Sequence, residues 1–431
     1  MHLFWSTNLT GRNHQVSQDL LGDIMSQLDA SPSARHLVSF LSRKLVKANF
    51  VDFSTDKISE SATGFVAHGG SLVAWRIGTN MKIHGFRIVG AHTDSPCLKI
   101  KPSQGDSRFG FNTLQVEIYG SPLLNSWLDR DLGIAGHIVL KNATVKLFCS
   151  ASPTARISQL AIHLDREVNE RGLILDKQLH LSPAWSTRPE SQDFMAWVAD
   201  QADVDPHEIV QIDAQLFDMS KSSLIGSDNS MLVSGRLDNQ ASCWAAVAAL
   251  LDSSAAQATQ VVALFDHEEV GSQSATGAAG PLLERCLEQL AASHDVSRIQ
   301  FLDALRRSNC VSADNAHAVH HNYPERHDLT NAPIINHGPA IKLNSNQRYA
   351  TSAQSAAIFV DACERANVPH QRFVSRNNMP CGTTIGPITA SRLGIDTVDV
   401  GVPQLSMHSA RELCGVDDLA YLRRALTTYF E

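Results

Sequence analysis

Two adjacent glutamates, Glu268 and Glu269, follow the short apolar segment 261–265. That segment is partly β-branched and predicts a buried strand, so the two carboxylates stand at a strand end. Adjacent glutamates repel each other unless a cation or hydrogen-bond donors take up the charge. The pair therefore suggests a metal ligand beside a general base, although two neighbouring glutamates alone are more typical of an exposed acidic turn.

Four further polar clusters lie just beyond short apolar runs. They are His92-Thr-Asp94, Asp238-Asn239, Asp314-Asn-Ala-His317 and Met407-His408. In open α/β sheets, strand ends of this kind surround a crevice where ligands bind. With Asp94 and His317 set aside, the five clusters supply two His, two Asp and two Glu, which are ligands that zinc accepts. The pattern is typical of a hydrolytic site with two metal ions roughly 3.5–4 Å apart and a carboxylate that bridges them.

Alternating strand and helix patterns predict the elements that position these clusters. Strand patterns precede Pro96, and a strand and helix alternation follows Ser234. The helices predicted in this later part cover residues 240–251, 281–292, 297–307, 354–366 and 417–429. Between the two parts, short alternating segments punctuated by Gly, Pro and Asn predict a β-rich insert. We expect an α/β fold with a central sheet flanked by helices, in which residues 1–95 and 235–431 form a catalytic domain and residues 96–234 an inserted domain.

The composition limits the class of protein. The chain has 431 residues, of which 43% are hydrophobic and 19% charged, as expected for a globular protein of two domains. A formal net charge of −8 argues against a nucleic-acid partner, which normally requires a basic face. We expect no membrane association, because no apolar run reaches the ~20 residues of a membrane helix and the N-terminus lacks signal-peptide features. The 8 dispersed cysteines contain no Cys-x-x-Cys pair, which predicts a reduced cytoplasmic protein without a cysteine-based zinc site.

The motifs resemble those of the aspartyl aminopeptidases, a family of zinc aminopeptidases with two co-catalytic metal ions. The resemblance extends from Gly90-Ala-His-Thr-Asp-Ser-Pro96 to Gln404-Leu-Ser-Met-His-Ser409, which is nearly the whole chain. Further matching motifs are Gly235-Arg-Leu-Asp-Asn239, Asp266-His-Glu-Glu-Val-Gly-Ser272, Ser312-Ala-Asp-Asn-Ala-His-Ala318, Lys342-Leu-Asn-Ser-Asn-Gln-Arg-Tyr349 and Pro380-Cys-Gly-Thr-Thr-Ile-Gly-Pro387. Together these motifs make the resemblance highly specific.

The resemblance implies a role for each residue of the metal site. The zinc ligands would be His92 and Asp314 for one ion, Glu269 and His408 for the other, and Asp238 as a bridge between them. Glu268 would be the general base, and Asp94 would orient His92 by accepting its second N–H. Manganese or cobalt could occupy the same ligands. We interpret the neighbouring residues His267, His317, His320 and His321 as parts of the motifs rather than ligands.

The resemblance also implies substrate contacts and self-association. Lys342 would receive the acidic side chain of the substrate, and Tyr349 in the same motif would also contact it. His163 would reach from the insert of a partner subunit into the neighbouring site, so that the insert serves dimerisation and the dimers assemble into a dodecamer. The alternatives are a solvated surface lysine at position 342 and a surface histidine on an amphipathic strand at position 163.

The function implied is removal of unblocked N-terminal Asp or Glu from peptides by attack of a metal-activated water, with two Zn²⁺ per subunit. Two other functions stay open. A related two-metal amidase, such as a deacylase of N-acylated amino acids, would not require a free α-amino group in its substrate. A non-catalytic assembly protein could retain the peptidase fold, but it would have no need of both the complete ligand set and Glu268.

Overall fold

The helices form where apolar residues recur at helical spacing. The computed structural model describes residues 16–102, 107–188 and 193–431. Its α-helices are α1 (Gln18–Ala30), α2 (Ala34–Lys47), α3 (Met81–His84), α4 (Val168–Arg171), α5 (Phe194–Ala202), α6 (Leu237–Asp252), α7 (Leu282–Ser293), α8 (Arg298–Arg306), α9 (Ala353–Arg365), α10 (Ile385–Leu393) and α11 (Val416–Phe430). In the described parts of the chain, no helix combines the length and the hydrophobicity needed to span a bilayer.

The strands are short and form four sheets in the described residues. In chain order they are β1 (Val51–Asp52), β2 (Thr63–His68), β3 (Ser71–Arg76), β4 (Phe86–His92), β5 (Cys97–Ile100), β6 (Ser107–Arg108), β7 (Phe111–Thr113), β8 (Val116–Tyr119), β9 (Leu132–Leu140), β10 (Val145–Cys149), β11 (Ala184–Ser186), β12 (Ile209–Asp218), β13 (Ser223–Ile225), β14 (Met231–Ser234), β15 (Thr259–Phe265), β16 (Asn309–Ala313), β17 (Ala316–His317), β18 (Ala340–Leu343), β19 (Gln371–Val374), β20 (Asp396–Gly401), β21 (Pro403–Leu405) and β22 (Glu412–Gly415). Short 3₁₀ turns cover Leu124–Trp127, Ile162–Leu164, Pro206–Glu208, Glu268–Val270 and Pro324–Arg326.

The central sheet has nine strands in the order β1-β2-β3-β15-β4-β16-β20-β18-β19. Strands β15, β4, β16 and β20 run parallel to one another, and β3 and β18 flank this group in antiparallel pairing. Helices cover both faces through two apolar cores. Helix α6 packs between β4 and α11, and its small side chains are buried along almost its whole length. The predicted α/β fold with a helix-flanked sheet is confirmed.

The segment between β4 and α6 is rich in strands, as the sequence predicts. Two sheets, β10-β9-β12-β5-β8 and β11-β7-β6, are made entirely of strands between Cys97 and Asp218, around an apolar core of their own. Strands β13 and β14, in contrast, join β22, β21 and β17 from the C-terminal part in one sheet. The chain therefore returns to the catalytic part through β13 and β14, before residue 235. The proposed domain limits at 96 and 234 stay a prediction.

Candidate active site

Neighbouring parallel strands bring the predicted ligands together. Strands β15, β4 and β16 are adjacent and parallel, so their carboxyl ends meet at the same edge of the sheet. His92 is the last residue of β4, Asp314 follows β16 directly, and Glu268 begins the turn after β15. Asp238 lies in the first turn of α6, and His408 lies in the connection between β21 and β22. Residues far apart in the sequence therefore share one crevice.

The side chains form a compact cluster around Asp238. The His92 Nε2 atom lies 3.4 Å from Asp238 Oδ1 and 3.5 Å from Asp314 Oδ1. On the other side, the His408 Nε2 atom lies 3.5 Å from Asp238 Oδ2 and 3.5 Å from Glu269 Oε2. Each carboxylate oxygen of Asp238 thus faces a different imidazole, which is the arrangement expected of a bridging ligand.

The cluster offers donor atoms that suit metal ions. Among the described residues, three groups have ligand atoms within 4.8 Å of one another; they are His92, Glu268 and Glu269, then His92, Asp238 and Asp314, and then Asp238, Glu269 and His408. Asp238 Oδ1 and Glu269 Oε1 are buried and accept no hydrogen bond in the described chain. A buried carboxylate oxygen without a partner is costly, and a bound cation would supply that partner. The nitrogen and oxygen donors therefore fit zinc, and the sharing of Asp238 fits two ions.

Both imidazoles are oriented by backbone carbonyl groups. The Nδ1 atom of His92 lies 3.1 Å from the carbonyl oxygen of Asp94, and the Nδ1 atom of His408 lies 3.0 Å from that of Ser121. A proton held on Nδ1 leaves Nε2 free for a metal ion. The sequence predicts this contact on His92 for the Asp94 carboxylate, which lies slightly farther away, at 3.5 Å.

The Asp94 carboxylate makes other contacts that position the acidic pair. It accepts the backbone N–H groups of Glu268 and Glu269, each at 3.1 Å, and the hydroxyl of Tyr119 at 2.7 Å. Tyr119 ends β8 in the β-rich segment, and no sequence motif points to it because only folding brings it to the site. The next residue, Gly120, has a φ of 71°, and a Cβ there would lie 3.1 Å from the Glu269 Cβ. A glycine therefore lets this segment approach the ligand closely.

The cluster carries strongly shifted ionisation equilibria. Burial raises the pKa of Glu268 to about 7; His92 opposes this shift and the nearby carboxylates add to it. Burial, and then the charge of Asp238, raise the pKa of Glu269 well above its usual range. Burial lowers the pKa of His408, but contacts with Asp238 and Glu269 outweigh this and raise it to about 10. Raised pKa values of this kind are expected where several buried carboxylates crowd together, and such a cluster favours a bound positive charge.

A cavity of about 390 Å³ opens onto the cluster. Its lining comprises His92, Ser121, Asp238, Glu268, Glu269, Gly271, Asp314, Asn315, Ala316, His317, Lys342, Tyr349, Gly382, Thr383, Thr384, Met407 and His408. Lys342 is only 2% exposed, which contradicts the alternative of a solvated surface lysine. Its Nζ atom lies 3.3 Å from Asp314 Oδ2, 3.2 Å from the Asn315 carbonyl and 5.1 Å from the centre of the Tyr349 ring.

His163 lies apart from this cluster. It occupies the exposed 3₁₀ turn Ile162–Leu164, so the segment is a turn and not the amphipathic strand of the alternative interpretation. It is not among the residues that line the cavity of its own chain within the described ranges. Leu160, Ile162 and Leu164 beside it in the sequence are exposed, as are Ile174 and Leu179 farther along the same segment.

The four histidines that were interpreted as motif residues differ in their surroundings. His317 lines the cavity, and burial lowers its pKa. His267 contacts the Ser274 hydroxyl at 2.9 Å through Nδ1. His320 and His321 stack on each other with ring centres 5.0 Å apart. Within the described chain, none of the four belongs to a group of three or more candidate metal ligands.

The chain is similar to a known family of proteins over almost its whole length. Residues 27–430 match the family model described as aminopeptidase I zinc metalloprotease (M18). The chain is 47% identical over 418 residues to the probable M18 family aminopeptidase 2 of Streptomyces avermitilis, covering 95% of this chain and 97% of that protein. It is 41% identical over 417 residues to the protein of the same description from Mycobacterium leprae, again covering 95% of this chain and 97% of that protein.

Solved structures support the same fold. The mApe1 dodecamer of S. cerevisiae superposes with a TM-score of 0.82 at 28% identity, over 96% of this chain and 96% of that chain. An M18 family aminopeptidase from Thermotoga maritima superposes with a TM-score of 0.87 over 97% of this chain and 98% of that chain. At 22% identity, the second comparison speaks for the fold alone.

Proposed function

The chain belongs to the M18 family of aminopeptidase I zinc metalloproteases, and we propose that it removes unblocked Asp or Glu residues from the N-termini of peptides. The family, and with it a zinc-dependent aminopeptidase activity, follows from the comparisons. The preference for acidic residues, the number of zinc ions and the role of each residue are parts of the proposal.

The observation that carries the proposal is the placement of Asp238 between two imidazoles. His92, Asp314 and Asp238 would hold one zinc ion, and Glu269, His408 and Asp238 would hold the other. Two divalent cations would balance the charge of the four carboxylates that line the cavity. Manganese or cobalt could bind the same donors, since both accept nitrogen and oxygen ligands.

Glu268 is the proposed general base. Bound zinc would supply Lewis acidity and lower the pKa of a coordinated water. The Glu268 carboxylate would accept a proton from the attacking water and pass it to the leaving amine. Its backbone N–H donates to the Asp94 carboxylate, and this hydrogen bond fixes the main chain from which the Glu268 side chain extends into the cavity. Burial of this carboxylate beside other acids suits a group that must both accept and return a proton.

Lys342 is the proposed determinant of acidic specificity. An ammonium group has three donors, and among the described residues two are directed at Asp314 and at the Asn315 carbonyl. One donor therefore remains for a substrate carboxylate in the cavity that Lys342 and Tyr349 line. A buried ammonium group attracts an anionic side chain more strongly than a solvated ammonium group does.

We also propose that the chain self-associates through the β-rich segment. The comparison structure from S. cerevisiae is described as a dodecamer. Leu160, Ile162 and Leu164, exposed beside His163 in the chain, offer an apolar surface that a second copy could cover. Covering it could bring His163 into the cavity of the partner. The eight free cysteines are in keeping with the reducing cytoplasm expected for such an enzyme.

A panel of aminoacyl reporter substrates tests the proposed function. We expect faster hydrolysis of Asp and Glu substrates than of Leu or Ala substrates, loss of activity after chelation, and recovery with added zinc. N-acylated versions of the same substrates should resist cleavage. Hydrolysis of the N-acylated compounds would favour the two-metal amidase, and a zinc-loaded protein without any hydrolytic activity would favour the non-catalytic assembly protein.

A further inference from the structure

A buried glutamate outside the proposed ligand set connects two ligand-bearing loops. Glu412 begins β22 and is 1% exposed. Its Oε2 atom accepts the backbone N–H of Asp238 at 2.9 Å, and its Oε1 atom accepts the backbone N–H of His408 at 2.7 Å. One carboxylate therefore ties together the main chains of two residues whose side chains face each other across the metal centre.

A buried amide network extends this connection to a third loop. The Gln404 Nε2 atom lies 3.5 Å from Glu412 Oε1, and Gln404 Oε1 accepts from Asn315 Nδ2 at 2.8 Å. Asn315 also donates to the Leu237 carbonyl at 2.9 Å and directly follows the proposed ligand Asp314. A buried network thus joins the loops that carry Asp238, Asp314 and His408, within the part of the chain that the structure describes.

The chemistry of these contacts is specific to a carboxylate. Two backbone N–H groups need two acceptors, and the two oxygens of Glu412 supply both. A glutamine of the same shape has one acceptor oxygen and would direct its NH₂ group at the other N–H. One of the two loops would then lose its hydrogen bond and could move relative to the other.

We propose that Glu412 is a positioning residue for the metal centre. It fixes the separation of Asp238 and His408 and so sets the affinity for the ion that these two residues share with Glu269. The other ion would be held by only one of the two tethered residues, Asp238, and its affinity should be less sensitive. This inference rests on the proposed function, because it requires that the cluster binds two metal ions.

Metal affinity of the Glu412→Gln variant tests the inference. Zinc binding is measured by competition with a chromogenic chelator, and the cobalt-loaded protein is examined by visible absorption. Loss of an outer contact to a ligand typically weakens metal binding ~10–100-fold. We expect that loss for one of two equivalents, together with a changed cobalt spectrum, while the other equivalent stays near wild type.

Asp418→Asn provides a matched control. Asp418 is also fully buried, and its two oxygens accept the backbone N–H groups of Gly338 at 2.7 Å and Asn336 at 2.6 Å. It lies in α11 and tethers a loop that carries no proposed ligand. A general loss of structural stability should appear in both variants, whereas selective loss of one metal equivalent should appear only in Glu412→Gln.

The possible results distinguish a failure of the positioning role of Glu412 from a failure of the proposed function. Wild-type affinity and an unchanged cobalt spectrum in Glu412→Gln, or equal metal loss in Asp418→Asn, would overturn the positioning role alone. If Glu412→Gln does not fold, Glu412→Asp decides the question, because its shorter carboxylate can reach at most one of the two amides; unchanged affinity there would likewise overturn the role. A wild-type chain that binds no zinc would reject both the inference and the function on which it rests.

Discussion

The metal centre and the His163 segment differ in how completely the chain supports them. The proposed ligand His92 is buried, bonded to a carbonyl group and packed at the end of a central strand. His163 lies on an exposed turn, and the neighbouring Leu160 and Leu164 are 62% and 74% exposed. The first region is organised within one chain, whereas the second exposes apolar side chains that the described residues do not cover.

This difference separates two ways of building a site. A buried cluster held by backbone contacts is preorganised, so its chemistry should depend on single side chains within the chain. An exposed apolar turn gains a defined position only when another surface covers it. If the proposed function is correct, catalysis requires both regions. Substitutions in the two regions should then reduce activity in different ways.

The largest effect is expected from Glu268→Gln. The change keeps the size of the side chain and removes the proton acceptor, so turnover should fall by ~10²–10⁴. Zinc content should stay near wild type, as measured by elemental analysis of the purified protein. Glu364→Gln, at an exposed position of α9, serves as the control and should leave turnover unchanged. A fully active Glu268→Gln variant would reject the assignment of the base.

The next effect is expected from His163→Phe. If the imidazole donates a hydrogen bond to the developing oxyanion of a partner's site, its loss should reduce turnover by ~10²–10³. Mixing His163→Phe chains with Glu268→Gln chains should restore part of the activity, because some mixed dimers then contain one intact site.

A second histidine of the β-rich segment provides the control. His207→Phe replaces another exposed histidine of the β-rich segment and should leave activity unchanged. Mixed dimers that demonstrably form and yet regain no activity would show that His163 does not act across the interface. The two regions would then be independent of each other.

A smaller and more selective effect is expected from Lys342→Met. Loss of the ammonium should reduce turnover of Asp and Glu substrates ~10–100-fold more than that of Leu and Ala substrates, the range for a hydrogen bond between charged groups. Some general loss is expected as well, because Lys342 also bonds to Asp314. The ratio between substrate classes is therefore the measurement, with the exposed Arg348→Met as control. A uniform loss across all substrates would indicate structural damage instead.

The smallest effect is expected from Tyr119→Phe. The variant removes one of three donors to the Asp94 carboxylate and leaves the two backbone donors in place. Turnover should fall about threefold to tenfold, measured at saturating substrate and full zinc loading. The exposed Tyr323→Phe is the control. Wild-type turnover in Tyr119→Phe would mean that the β-rich segment does not help to position the acidic pair.

Much of this architecture could be predicted from the sequence. Apolar runs that end in His92 or lead to Asp314 mark strand ends, and parallel strands bring such ends together. The five helices predicted after Ser234 lie within about two residues of helices α6, α7, α8, α9 and α11, except that α6 begins three residues earlier. Local periodicity and polarity carry these features, so a single sequence is sufficient to find them.

Features that depend on tertiary contacts were missed. No helix is predicted over residues 382–387, but α10 begins at Ile385 and tolerates Pro387 in its first turn. Tyr119 and Glu412 bond to groups more than twenty residues away or to the main chain, and neither contact leaves a pattern in the sequence. Glu412 does carry a weak signal of a buried contact, because an acid at the start of an apolar strand is costly to bury unless its carboxylate is paired.

The order of the central strands has a consequence for biosynthesis. Strand β4 lies between β15 and β16, which are made only after the whole β-rich segment. The proposed ligands are spread from His92 to His408, so a growing chain lacks a complete donor set until it is almost finished. At ~5–20 residues per second, this delays the assembly of the centre until the end of synthesis. Metal-dependent activity therefore becomes possible only once nearly the whole chain has been made.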